Sequence, residues 1–202
     1  MLRSTGVILV LALAVLGALS AKRAGRDGDP IDAADRGQLV RPRGNSSLPQ
    51  ARAFRGFPLY FPGETAAGRK LEAVLRTDRT APAPHSEFSF LYGGCRSIGG
   101  QGCRPPLEIL VWPACYRYET RYSIPTGERT VVRGVPARLS RKFRRLELYP
   151  ADATIVINGD GLQRRAQLLQ VARRLRGVNV LLRPDASLPA RPRHAGQTIQ
   201  CE

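Results

Sequence analysis

Short aromatic or β-branched runs, each closed off by proline or glycine, recur along the middle of this chain and constrain its fold more than any other feature. Phe57 to Phe61, Glu87 to Tyr92 and Leu107 to Trp112 form one group. Thr130 to Leu139, Arg145 to Tyr149 and Ala153 to Asn158 form a second. Runs of this kind, bounded by turn-formers, read as strands. The last two are joined by Tyr149-Pro150-Ala151-Asp152, a tight turn in which proline fixes φ and aspartate can bond its own backbone. Glu64 to Leu75 reads instead as a short helix, since Leu71, Val74 and Leu75 fall at helical spacing.

The clearest helix runs from about Gly161 to Arg176. Asp160 supplies an N-cap oxygen, Leu162, Leu168, Leu169, Ala172 and Leu175 share one broad face, and Gly177 is a C-terminal stop. Gln163, Gln167, Gln170 and Arg174 make the water-facing stripe, and Arg173, Arg174 and Arg176 crowd the last turn, where the helix dipole favours cations. Together these elements predict an α+β domain: a mainly antiparallel sheet with the C-terminal helix packed on one face. Val178 to Leu182 is placed as a parallel edge strand returning to that sheet.

A chain of 202 residues with 43% hydrophobic and 24% charged residues has enough apolar surface for one core, which excludes a wholly disordered chain, collagen, a coiled coil and a multi-span membrane protein. The composition divides it into a leader over residues 1–21, an Arg/Asp/Gly/Pro-rich spacer over 22–52 expected to be disordered, the α+β domain over 53–182, and a flexible Pro- and Arg-rich tail over 183–202. In the leader, Arg3 precedes an uncharged apolar run from Gly6 to Leu19, and Ala18 and Ser20 are the small residues of a cleavage site before Ala21. This is a signal-peptide pattern. Thr5 to Ala21 is also just long enough for an uncleaved membrane anchor, although Lys22, Arg23 and Arg26 outnumber Arg3 and weaken an anchor whose C-terminal side faces outward. A buried helix is the third reading. The expected location is therefore extracytoplasmic, either secreted or anchored. Asn45-Ser46-Ser47 in the spacer matches a glycosylation acceptor, a pattern frequent by chance.

Four cysteines, Cys95, Cys103, Cys115 and Cys201, fit an exported protein stapled by disulfides, with three connectivities open. Local pairing of Cys95 with Cys103 or with Cys115 is favoured, because the glycine-rich loop between Cys95 and Cys103 lets sulfurs meet; Cys201 either pins the tail or stays unpaired. A zinc site built from His85, Cys95, Cys103 and Cys115 is the sharper alternative. Their spacing lacks the tight cysteine pair of structural zinc modules. His85, in a proline-rich stretch, reads as a solvated loop residue.

The net charge of +16 is uneven: from Arg121 to Leu182 there are 13 basic residues against 4 acidic, with Arg138, Arg141, Lys142, Arg144 and Arg145 inside eight positions. A face this basic attracts phosphate- or carboxylate-rich partners such as a membrane surface or an acidic wall polymer. Nucleic acid is the least favoured, because export would separate the protein from it. A solvated face reflecting arginine-rich codon usage is the bland counterpart. Tyr116, Tyr118 and Tyr122 form no RNA-binding signature and read as strand residues at period two.

No segment spells out a reaction. His85 and His194 both lie in proline-rich stretches, Glu119, Glu128 and Glu147 are separated singletons, and Asp152 and Asp160 are explained by a turn and a cap. Asn158-Gly159-Asp160-Gly161 lacks the further glycine and the lysine of a phosphate loop and reads as a strand-to-helix turn. No cofactor is expected, and a non-catalytic binding or structural module is favoured over a polyanion-binding protein acting through Arg138 to Arg145, and over an envelope enzyme with a cysteine or metal site.

Tyr92-Gly93-Gly94-Cys95, Cys103-Arg104-Pro105-Pro106-Leu107 and Arg133-Gly134-Val135-Pro136-Ala137 resemble segments of a group of uncharacterised exported or membrane-anchored bacterial proteins, in which a leader and spacer precede a single domain. The resemblance covers about half the chain. It implies fold-stapling roles for Cys95, Cys103 and Cys115 and no particular activity.

Overall fold

Alternation of apolar and polar side chains, kept in register across neighbouring strands, organises this protein. The computed structural model describes residues 39–40, 44–79, 85–97, 103–117, 127–140, 144–162, 164–179 and 188. The leader, the stretches expected at Tyr118, Tyr122, Arg141, Lys142 and His194, and Cys201 lie outside the described residues. Residues 35–202 form one compact unit. The strands are β1 (Leu39–Val40), β2 (Tyr60–Phe61), β3 (Thr65–Ala66), β4 (Arg69–Arg79), β5 (His85–Tyr92), β6 (Cys95–Ser97), β7 (Cys103–Arg104), β8 (Leu107–Pro113), β9 (Glu128–Val132), β10 (Val135–Ser140), β11 (Arg145–Leu148), β12 (Ala153–Asn158) and β13 (Arg176–Gly177). The helices are α1 (Leu48–Ala53) and α2 (Arg165–Arg173), with a 3₁₀ turn at Ala114–Tyr116.

Eight strands form the main sheet in the order β3-β4-β5-β8-β12-β11-β10-β9. Every pairing in it is antiparallel. Two cross-strand rows show why the register holds. Phe88, Val111, Ile155, Leu148 and Ala137 face one another in turn, as do Phe90, Ile109, Ile157, Leu146 and Leu139. All ten are buried, and a one-residue slip of any strand would turn its apolar set to the other face. Leu162, Leu168, Val171, Ala172 and Leu175 join this cluster from the α2 side. The domain is therefore α+β, a mainly antiparallel sheet with the C-terminal helix on its core.

Two hairpins in the main sheet turn on a residue-glycine pair with positive φ at both positions: Ala67 and Gly68 between β3 and β4, and Arg133 and Gly134 between β9 and β10. Such turns match the twist of the strands they join. The first of them overturns the helix expected over Glu64 to Leu75. The apolar spacing there belongs to strand β4, where a bulge between Leu71 and Ala73 shifts the alternation by one residue and mimics a helical period.

Five other expectations are corrected. The C-terminal helix begins at Arg165, not Gly161, because Gly161 donates its N–H to the Pro106 carbonyl and Leu162 its own to Gly159, holding that stretch as a turn. Asp160 is accordingly no cap; the Gln167 side chain accepts the Arg164 N–H instead. The chain after α2 returns as β13, antiparallel to β2; of the parallel strand expected over Val178 to Leu182, Val178 and Asn179 are not in a strand and the rest lies outside the described residues. Order begins inside the presumed spacer: Ser47 caps α1 and Ala51 is fully buried. Within the presumed tail, Leu188 is buried in the main core.

Candidate functional site

The residues singled out by sequence are dispersed. Cys95 and Cys115 are disulfide-bonded, and no free cysteine occurs among the described residues. A sulfur in a disulfide offers no thiolate to zinc. Among the described residues no three His, Cys, Asp or Glu side chains converge as metal ligands. His85 is not a solvated loop residue. It starts β5 with its side chain 7% exposed, meets Glu87 Oε1 through Nε2 at 3.3 Å, and stacks on Tyr116 with ring centroids 4.3 Å apart. Tyr116 itself lies in the 3₁₀ turn, not a strand. The arginine cluster is split as well. Arg145 donates to Glu147 Oε1 at 2.6 Å, Arg144 donates to the Asp160 carbonyl at 2.9 Å, and Arg138 lies opposite Glu147 in the β10–β11 register.

The sheet face turned away from α2 gathers ionisable groups, among them Glu147, which reads in sequence as a singleton. Glu147 is 1% exposed and accepts from both Arg145 and, at 2.6 Å, the Tyr149 hydroxyl. Glu87 accepts from Arg79 at 3.1 Å as well as meeting His85. On β8, Glu108 accepts from Asn158 at 3.1 Å, and Asn158 stands opposite Arg145 in the next strand pair. Burial pushes the Glu108 carboxyl above its ordinary range, against the lowering effect of hydrogen bonds from Asn158 and Ser89. Burial likewise raises Tyr149, with Glu147 adding to the shift. Leu110, Trp112 and Val156 form a small apolar cluster on the same face. Further along, Tyr60 donates to Asp152 at 2.8 Å, and Arg117 binds Thr154 and the carbonyls of Pro150 and Ala153. Burial raises both Asp152 and Tyr60. Glu87 and Glu147 each engage both oxygens, which fixes strands in place and leaves them no idle oxygen for proton transfer, whereas Asp152 keeps a buried Oδ1 with no hydrogen-bond partner among the described residues.

The Asn-Gly-Asp-Gly run serves packing. A Cβ at Gly159 would stand 2.7 Å from Leu168 Cδ2, and one at Gly161 would collide with Pro106. The close approach of backbone to neighbour explains both glycines without a phosphate.

Exposed charge collects elsewhere. Arg165, Arg173 and the C-cap Arg174 are exposed along α2, and among the described residues only Arg165 of these is matched by a carboxylate, Glu128 at 2.8 Å. Arg133, at the β9–β10 turn, reaches over the end of α2 and donates to the carbonyls of Arg173 and Leu175 at 3.2 and 2.9 Å. A separate cleft of about 660 Å³ lies beside α1, walled by Gln50, Phe54, Arg55, Arg76, Asp78 and Phe88. Sequence reasoning missed both, and one signal was present: Arg173, Arg174 and Arg176 stand together in the last turn. Among the described residues no helix is long and apolar enough to cross a membrane. Comparison with family models, with curated proteins and with solved structures finds no match to this chain.

Proposed function

We propose that this domain is a non-catalytic binding module of the cell envelope, which holds a phosphate-bearing surface on the arginines presented by α2 and the β9–β10 hairpin. One contrast carries the reading. The buried charges Glu147 and Glu87 are each matched by a cation, whereas the exposed Arg173 and Arg174 carry no ion pair among the described residues. Unmatched guanidinium groups on one helix face offer bidentate donors to phosphate at little desolvation cost. The apolar leader from Gly6 to Leu19 supports placing the module outside the cytoplasm, where lipid headgroups and wall polymers supply that phosphate. The disulfide state of Cys95 and Cys115 supports the same compartment and speaks against an enzyme that uses either as a thiolate nucleophile.

The test is retention of the purified chain on vesicles containing phosphatidylglycerol, against neutral phosphatidylcholine vesicles, over a range of salt. Binding only to the anionic vesicles, falling steeply with salt and weakened at least tenfold by Arg173→Gln/Arg174→Gln, is the expected result. Equal retention by the double variant would overturn the assignment to α2.

A further inference from the structure

We propose that the cleft beside α1 is a second site, built for a small carboxylate attached to a planar apolar ring. Its volume of about 660 Å³ lies within the range of small-molecule sites, roughly 300–1,000 Å³. The apolar part of the lining is the half-buried Phe54, whose ring packs on the buried Phe88 with centroids 4.8 Å apart. Arg76 stands 5.4 Å from the Phe54 ring centroid and is fixed there, donating from Nε to Asp78 Oδ1 at 3.0 Å. Asp78 is itself held ionised, its carboxyl lowered by the Ser86 hydroxyl and by Arg76. One wall of the cleft is thus a satisfied ion pair.

Two other lining residues keep unspent donors. Arg55 is exposed and its guanidinium has no hydrogen bond or ion pair among the described residues. Gln50 uses its carbonyl oxygen to accept from the Ser46 and Ser47 hydroxyls, at 3.4 and 2.9 Å, which leaves its amide nitrogen pointing to no acceptor among the described residues. A forked cation and an amide donor beside the accessible part of Phe54 match a carboxylate on a ring: the fork takes both oxygens, and the ring packs against Phe54. The charge of Asp78 disfavours a carboxylate beside it, and Arg55 is the lining cation without an ion pair among the described residues. These elements are separate from α2 and the β9–β10 hairpin, so the cleft and the envelope-binding reading stand or fall independently.

The experiment is a titration of the intact, non-reduced chain with benzoate, acetate and benzamide, followed by backbone amide shifts. Benzoate should give saturable shifts at Phe54, Arg55, Arg76 and Asp78. Acetate should bind at least tenfold more weakly for want of the ring, and benzamide likewise for want of the charge. Arg55→Gln should weaken benzoate about tenfold or more while leaving the thermal midpoint unchanged, since the Arg55 side chain makes no hydrogen bond or ion pair among the described residues. Equal binding of acetate and benzoate, or undiminished binding by Arg55→Gln, would overturn the proposal.

Discussion

Asn179 is 2% exposed and makes three bonds that hold the loop after α1: its amide donates to the carbonyls of Phe54 and Phe57 at 3.1 and 2.7 Å, and its oxygen accepts from the Leu59 N–H at 3.3 Å. Removing it strands buried backbone groups, each costing roughly 1–3 kcal/mol. Asn179→Ala should therefore lower unfolding free energy by about 3 kcal/mol, read from the urea midpoint. Glu108 offers a pH-dependent counterpart. Its carboxyl is raised in the folded state, so folding binds a proton more tightly than the unfolded chain does. That contribution is fully present below the unfolded carboxylate pKa of about 4.3 and is lost as pH rises through the folded value. Glu108→Gln keeps an oxygen for Asn158 and cannot ionise; it should raise the melting temperature at pH 7, with the gain vanishing near pH 3. Neither role was legible in sequence. Alternation marks Glu87, Glu108 and Glu147 as pointing away from the core, but only the register, with Asn158 opposite Arg145, shows that they meet buried partners.

Elements differ in how plainly the chain announces them. Ala153 to Asn158 stands as a strand over its full length, because its apolar run is bounded by turn-formers on both sides. Strand β4 was hidden by its bulge, and the span Thr130 to Leu139 concealed a turn at Arg133-Gly134 because valines flank it closely on both sides. The end of α2 was misplaced for a tertiary reason: Arg133, forty residues earlier, supplies the donors that the last carbonyls need. That turn is exacting, with φ of 53° at Arg133 and 82° at Gly134. Gly134→Ala forces a β-carbon into the left-handed region and should cost about 1 kcal/mol or more in chemical denaturation. Amide exchange in the last turn of α2 should quicken with it, since the same turn aims Arg133 at that helix.

For the molecule as a whole, charge and cysteine content were legible, but the place where charge becomes usable was not. Crowding in sequence singled out Arg138 to Arg145, yet strand geometry pairs the half-buried Arg145 with Glu147 and spends Arg144 on a carbonyl. The cleft beside α1 joins residues of the presumed spacer, Gln50 among them, to Arg76 and Asp78 of β4, a juxtaposition that no local pattern encodes. Isolated without reductant, the mature protein should have the mass of residues 21–202 less the hydrogens of two disulfides. Retention of Met1 together with free thiols would contradict both the leader and the bridges. Closure of the domain is also late. Tyr60 and Phe61 pair with Gly177 and Arg176, Val178 donates to Leu59, and Leu188 fills the same core, so the two ends of the fold must meet before that core is sealed. Contacts this distant in the chain form slowly. A polypeptide being threaded through a membrane would stay pliable until almost its entire length had crossed, and would lock only on the far side.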